Sequence, residues 1–147
     1  MLIPVLVFAA AAFVQVPPVT DVYEVPEARN DKLYQAFGGE AAVEAVVDNF
    51  IRIALDDPRI AGTFDETNMK RFREKLEKQL CDVMGGPCAY DGFGMRESHQ
   101  PLDITAAQWG YMVEDFQIAM SEAGVPFRAQ GKLLALLAPM HRDVVAE

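Results

Sequence analysis

A chain of 147 residues with 51% hydrophobic and 24% charged side chains is long enough for one domain around a single core, and too apolar to be disordered. Its formal charge of −9 and pI near 4.6 exclude nucleic acid and an acidic membrane surface as electrostatic partners. No internal repeat and no low-complexity linker divides it.

Residues 1–20 carry no charged side chain, and the first charge is Asp21. The apolar run from Leu2 to Phe8 leads into Ala9-Ala10-Ala11-Ala12 and then Pro17-Pro18, an order similar to an export signal with an alanine cleavage site, although no Lys or Arg precedes the run. Two alternatives stay open. The stretch could remain as a membrane anchor, with Pro4 and Pro17 shortening any helix, or reflect a misplaced start or a tail. A cleaved signal predicts a periplasmic or secreted protein, an anchor a membrane-tethered one, and a misplaced start a cytoplasmic one. Residues 21–30, with Pro26, read as a polar linker, and one domain is expected over 31–147.

Within the domain, Leu33, Tyr34 and Phe37 form a short apolar helix that Gly38-Gly39 stops. Glu40 to Leu55 follows as an amphipathic helix, with Val43, Val46, Val47, Phe50, Ile51, Ala54 and Leu55 at spacings of three and four. Asp56-Asp57-Pro58 ends it, and a connection carrying Gly62 and Phe64 reaches Thr67-Asn68, either of which can cap the next helix. That helix, 69–84, has a narrow apolar stripe of Phe72, Leu76, Leu80 and Val83 or Met84 among charged faces. Such a stripe suits a lid lying across a core, though an ordinary surface helix has the same pattern. Gly85-Gly86 supplies a left-handed cap and Pro87 prevents resumption.

The segment Gly85 to Leu102 organises the chain. After a glycine-rich bend at Gly92 and Gly94 it presents Met95 and His99 on one helical face. A single neutral imidazole there could serve a metal, although a lone histidine beside apolar residues is more commonly a surface or core residue. Thr105 and Gln108 have capping-box spacing and start a helix with Trp109, Met112, Val113, Phe116 and Met120 on its apolar face. Gly124-Val125-Pro126 stops it, and a last helix over 128–145 turns Leu133, Leu136, Leu137, Met140 and Val144 inward. No segment shows period-two alternation, so the fold is all-α. Cys81 and Cys88 flank the glycine break, where the chain reverses; they either bridge, in an oxidising compartment, or remain two buried thiols.

These signals, in this order, resemble those of the group 1 truncated haemoglobins, short globins built as a two-over-two helical sandwich around haem. The matching pieces are Leu33-Tyr34 with Gly38-Gly39, Val46-Val47-Asp48-Asn49-Phe50, Asp57-Pro58-Arg59 with Phe64, and Asn68-Met69. They continue with Gly85-Gly86-Pro87, Tyr90, Gly92, Met95 and His99, then Gly124-Val125-Pro126, and cover roughly residues 31–145. The resemblance implies haem b, with iron, as cofactor. It places His99 at the proximal ligand, Phe64 against the haem face, and Phe72 and Leu76 at two distal positions. Lys75 falls where the family often has a cation near a haem propionate, and Met95, Trp109, Val113 and Leu137 are implied walls; as plain readings, Lys75 is a solvated charge and the others ordinary core.

One departure matters. The family commonly has tyrosine directly after the phenylalanine matched by Phe50, with its hydroxyl donating to the gas ligand; here that residue is Ile51. With Ile51, Phe72 and Leu76 all apolar, the expected ligand pocket lacks a donor worth roughly 1.5–3 kcal/mol, so oxygen should be held weakly and carbon monoxide affected less. Gln79 or Tyr111 could substitute. His141, beside Arg142, is expected to be exposed. The favoured reading is reversible binding or transport of oxygen or another diatomic gas (nitric oxide or carbon monoxide) at five-coordinate iron, served by a reductase, rather than an enzyme. The alternatives are a haem redox enzyme, of nitric oxide dioxygenase or peroxidase type, and a periplasmic electron-transfer or haem-handling protein. No Ser-His-Asp site or phosphate-binding loop is present.

Overall fold

The computed structural model describes residues 29–146, so the apolar stretch 1–20 and most of the linker lie outside the described residues. The described residues contain seven α-helices and no strand. None of these helices is long and apolar enough to cross a membrane.

Helix α1 (Lys32–Phe37) ends at Gly38, whose φ of 119° is left-handed and lets its N–H return to the carbonyls of Tyr34 and Gln35. Helix α2 (Gly39–Asp56) buries Val43, Val46, Val47, Phe50 and Ala54 and stops where Asp57 turns extended ahead of Pro58. A 3-10 turn (Ala61–Phe64) leads to α3 (Met69–Val83), whose first turn is capped by the Asn68 side chain accepting from the Arg71 N–H at 3.0 Å.

The glycine break after α3 has a steric cause. Gly86 donates to the Cys81 carbonyl at 2.9 Å while Gly85 holds φ 81°. A Cβ on Gly85 would stand 2.2 Å from the Asn30 carbonyl oxygen, and one on Gly86 2.7 Å from the Cys81 sulfur. Cys81 and Cys88 are joined in a disulfide with their Cα atoms 6.1 Å apart, which resolves the two readings of the pair. Arg29 adds an ion pair to Asp82 at 2.6 Å and a hydrogen bond to the Cys88 carbonyl at 3.2 Å.

Helix α4 (Met95–His99) runs into a 3-10 turn (Gln100–Leu102) that closes at Asp103, the one non-glycine residue with positive φ among the described residues. Helix α5 (Ala106–Glu122) opens on a complete capping box: the Gln108 N–H donates to Thr105 Oγ1 at 3.1 Å, and the Thr105 N–H to Gln108 Oε1 at 3.0 Å. The single helix expected over 128–145 is instead α6 (Phe127–Leu137), a 3-10 turn (Ala138–Met140) and α7 (His141–Val144). Pro139 causes the break, because its ring removes an N–H and crowds the preceding turn. The break also corrects the expected inward face: Leu133 and Val144 are buried, Leu137 and Met140 half-buried, and Leu136 is 44% exposed.

Helix α2 lies at the centre, packed most extensively on α5 and α3, while α1 meets α6 and α4 meets α7. Phe50 and Phe116 join α2 to α5 edge to face, with ring centroids 5.5 Å apart. Gln130 is buried on α6, and its amide donates to the Val125 carbonyl at 2.9 Å, fixing the turn between α5 and α6.

Candidate functional site

A cavity of about 540 Å³ opens between α3, the segment leading to α4, and α5. Its volume suits a small molecule or cofactor. Helix α3 contributes Phe72, Lys75, Leu76, Gln79 and Leu80; α5 contributes Trp109, Met112 and Phe116; Phe50, Phe64, Met95, His99 and Leu137 come from elsewhere in the chain. Phe64 and Phe72 meet edge to face with centroids 5.3 Å apart.

The structure therefore brings Phe64, Phe72, Lys75, Leu76, Met95, His99 and Trp109 to one cavity, and it leaves Ile51 and Val113 off the wall. Helix α2 presents Phe50 there; Ile51, the next residue round the helix, is half-buried against the core. Along α5 the cavity face runs Trp109, Met112, Phe116, so Val113 is turned to the side. Of the two substitute donors, Gln79 lines the cavity and Tyr111 does not: the Tyr111 ring lies under the Arg59 guanidinium, 4.2 Å away.

His99 is half-buried, and its Nδ1 lies 2.7 Å from the Met95 carbonyl oxygen, one turn earlier. A carbonyl can only accept, so the ring donates from Nδ1, which in a neutral imidazole puts the lone pair on Nε2. That is the tautomer a metal-binding imidazole needs, held by a second partner in the usual way. Among the described residues, no group of three His, Cys, Asp or Glu could hold a metal ion. A lone imidazole of this kind suits a metal whose other ligands arrive with a flat organic cofactor.

Among the polar groups of the lining, Lys75 meets an acidic partner from the segment before α4. Lys75 Nζ donates to Asp91 Oδ1 at 2.7 Å, and Lys78 Nζ to Asp91 Oδ2 at 2.9 Å. The hydrogen bond from Lys75, with that from Lys78, holds the Asp91 carboxyl well below its ordinary range, at about 2. The Gln79 amide donates only to weak acceptors, the sulfurs of Met95 at 3.2 Å and Met140 at 3.6 Å. His141 is exposed, with its ring edge-on to Trp109 and centroids 5.3 Å apart.

A second polar cluster stands behind the wall. Arg59 pairs with Asp57 at 2.9 Å and Glu114 at 3.1 Å, and approaches Asp115 to 3.9 Å. Asp115 is 3% exposed, and its Oδ2 has no hydrogen-bond partner as a carboxylate. Burial first, and then Asp57, push Asp115 up to about 6; the Arg59 hydrogen bond holds Asp57 down at about 2. Sequence reasoning missed this pair because its two carboxylates lie in separate elements.

Comparison with known proteins identifies the family. A family model described as bacterial-like globin matches residues 32–146. The chain belongs to the bacterial-like globin family. It is similar to the group 1 truncated haemoglobin GlbN of Mycolicibacterium paratuberculosis, at 33% identity over 112 residues, covering 76% of this chain and 82% of that protein. It is also similar to the group 1 GlbN of Synechocystis, at 34% identity over 119 residues, covering 77% and 96% respectively. The crystal structure of a truncated haemoglobin from Tetrahymena pyriformis in its Fe(III) form shares the fold, with a TM-score of 0.75 at 24% identity over 78% of this chain and 98% of that one. As a truncated haemoglobin this globin carries haem and belongs to a family that binds diatomic gases through it. The cavity fits that cofactor: one oriented imidazole, apolar walls, and the cations Lys75 and Arg71 on the lining.

Proposed function

We propose that this truncated haemoglobin binds oxygen or another diatomic gas reversibly, with His99 Nε2 as the sole protein ligand of five-coordinate haem iron and an apolar pocket on the gas side. The observation that carries the reading is the Nδ1–H bond from His99 to the Met95 carbonyl at 2.7 Å, which leaves Nε2 free beside the cavity. The exposure of His141, packed against Trp109, supports a single protein ligand. Haem, when bound, supplies the open coordination site for the gas. Phe72, Leu76 and Leu80 of α3 offer the cavity no hydrogen-bond donor, and the Gln79 amide among them is turned to the Met95 and Met140 sulfurs. Their apolar character favours weak oxygen binding over nitric oxide dioxygenation, which needs a stable oxygen complex, and over peroxidase chemistry, which benefits from an acid/base group. The Cys81–Cys88 disulfide supports a periplasmic or secreted location, where such bonds persist.

Absorption spectra of the purified protein test the reading: ferric, then dithionite-reduced, then with oxygen and with carbon monoxide, beside a His99→Ala variant. A Soret band that shifts with each ligand and is lost or altered in the variant is expected. A protein that takes up no haem, or a variant with unchanged spectra, overturns it.

A further inference from the structure

Asp91 has no part in the reading above, yet it occupies a position that matters to it. A haem is an apolar plate with two carboxylates at one edge, and a cavity that holds it needs cations near its mouth. The lining supplies two, Arg71 and Lys75. The Arg71 guanidinium lies over the Phe93 ring at 5.5 Å. Lys75 is the less exposed partner of its ion pair, at 27%, and its ammonium is already taken by Asp91 at 2.7 Å. The other Asp91 oxygen takes Lys78 at 2.9 Å.

This carboxylate is held in place. The Tyr90 N–H beside it donates to Asp82 Oδ2 at 2.8 Å, and the Tyr90 hydroxyl donates to the Phe93 carbonyl at 2.7 Å, folding the loop around Gly92. A Cβ on Gly92 would lie 2.3 Å from that hydroxyl, so a side chain there would push the Tyr90 ring from this position. The Cys81–Cys88 disulfide ties the start of the same loop to α3. Both flanking residues, Tyr90 and Gly92, line the cavity.

We propose that Asp91 sets how firmly haem is retained, as a built-in carboxylate that competes with a haem carboxylate for the ammonium of Lys75. The inference rests on the reading of the cavity as a His99-ligated haem site. Two effects act in the same direction. Before haem enters, Asp91 separates the ammoniums of Lys75 and Lys78 and lowers the free energy of the empty state. Once haem is bound, Asp91 keeps a claim on the Lys75 ammonium that the haem carboxylate would use. Lys78 is the relay that leaves Asp91 neutralised when Lys75 turns to the cofactor. Asp91 is thus a positioning residue that favours exchange over permanent capture.

The test is the rate of haem release from the ferric protein to excess apomyoglobin, followed by absorbance, for wild type, Asp91→Asn, Lys75→Met and the double variant. Asp91→Asn should release haem about two- to fivefold more slowly, the range a half-exposed ion pair supports. Lys75→Met should release it faster, and Asp91→Asn should add nothing in that background. Release from Asp91→Asn that is unchanged or faster overturns the inference while leaving haem binding intact, as does an equal slowing with Lys75 absent. A wild type without bound haem overturns both readings together.

Discussion

Replacing Asp115 by asparagine removes a carboxyl group whose ionisation this fold resists. Asp115 is 3% exposed, and its nearest cation, Arg59, stands 3.9 Å away and is already engaged by Asp57 and Glu114. Burial and the Asp57 carboxylate raise it from 3.8 to about 6. The native state therefore keeps a proton that the unfolded chain releases between these values. The resulting stability is full below the unfolded value near 4 and is lost as pH rises through about 6. A shift of two units corresponds to about 3 kcal/mol. Asp57 runs the other way: its depressed value gives stability above pH 4 that disappears as pH falls toward 2. The asparagine amide can donate to Asp57 where the acid proton does and never ionises. We expect Asp115→Asn to match wild type near pH 4 and to exceed it by about 2–3 kcal/mol at pH 7.5. Urea unfolding followed by circular dichroism from pH 4 to 8, in one fixed ligation state, measures the difference. A variant weakened equally at every pH, with the wild-type pH dependence preserved, would mean that Asp115 is ionised and held by Arg59, and the argument would fail.

Two further outcomes follow from the cavity and its staple. Leu76→Gln places an amide donor on the α3 face that lines the cavity; it should slow oxygen dissociation by about tenfold to a hundredfold in stopped-flow measurements, with carbon monoxide changing far less, and equal effects on both gases would refute the dry-pocket account. Reducing the Cys81–Cys88 disulfide, which spans a sequence separation of 7, should lower unfolding stability by roughly 2–3 kcal/mol and add the mass of two hydrogen atoms; an intact mass unchanged by reductant would show two free thiols instead.

Much of the fold was legible because its boundaries are written in local chemistry. The Thr105–Gln108 box and the Gly85-Gly86-Pro87 stop depend on residues a few positions apart, and both formed as read. His99 was singled out through spacing and resemblance, but its bond to a main-chain carbonyl was not, because that acceptor carries no letter of its own. Pro139 was visible in the chain, yet the apolar periodicity on either side hid the break it makes in the last helix. Ile51 and Val113 lie off the cavity lining for a related reason: a helix face is broad in sequence, and only packing decides which of two neighbouring residues meets a cavity. The Asp57–Asp115 pair and the Asp91 clamp join residues far apart in sequence, where no local pattern signals the partner.

The anchoring of α3 has a mechanical consequence. Its C-terminal end is fastened covalently by Cys81–Cys88, by Arg29 on Asp82, and by the Tyr90 N–H on the same carboxylate. Its N-terminal end rests on the Asn68 cap, on the Phe64–Phe72 ring contact, and on Arg71 lying over Phe93. Between the two ends, Arg73 pairs with Asp48 of α2 and Lys75 with Asp91. The helix is a beam pinned at several points, and only the pin at the Cys81 end is covalent. Reducing that bond leaves the register of α3 on the core to a cap, ring contacts and ion pairs.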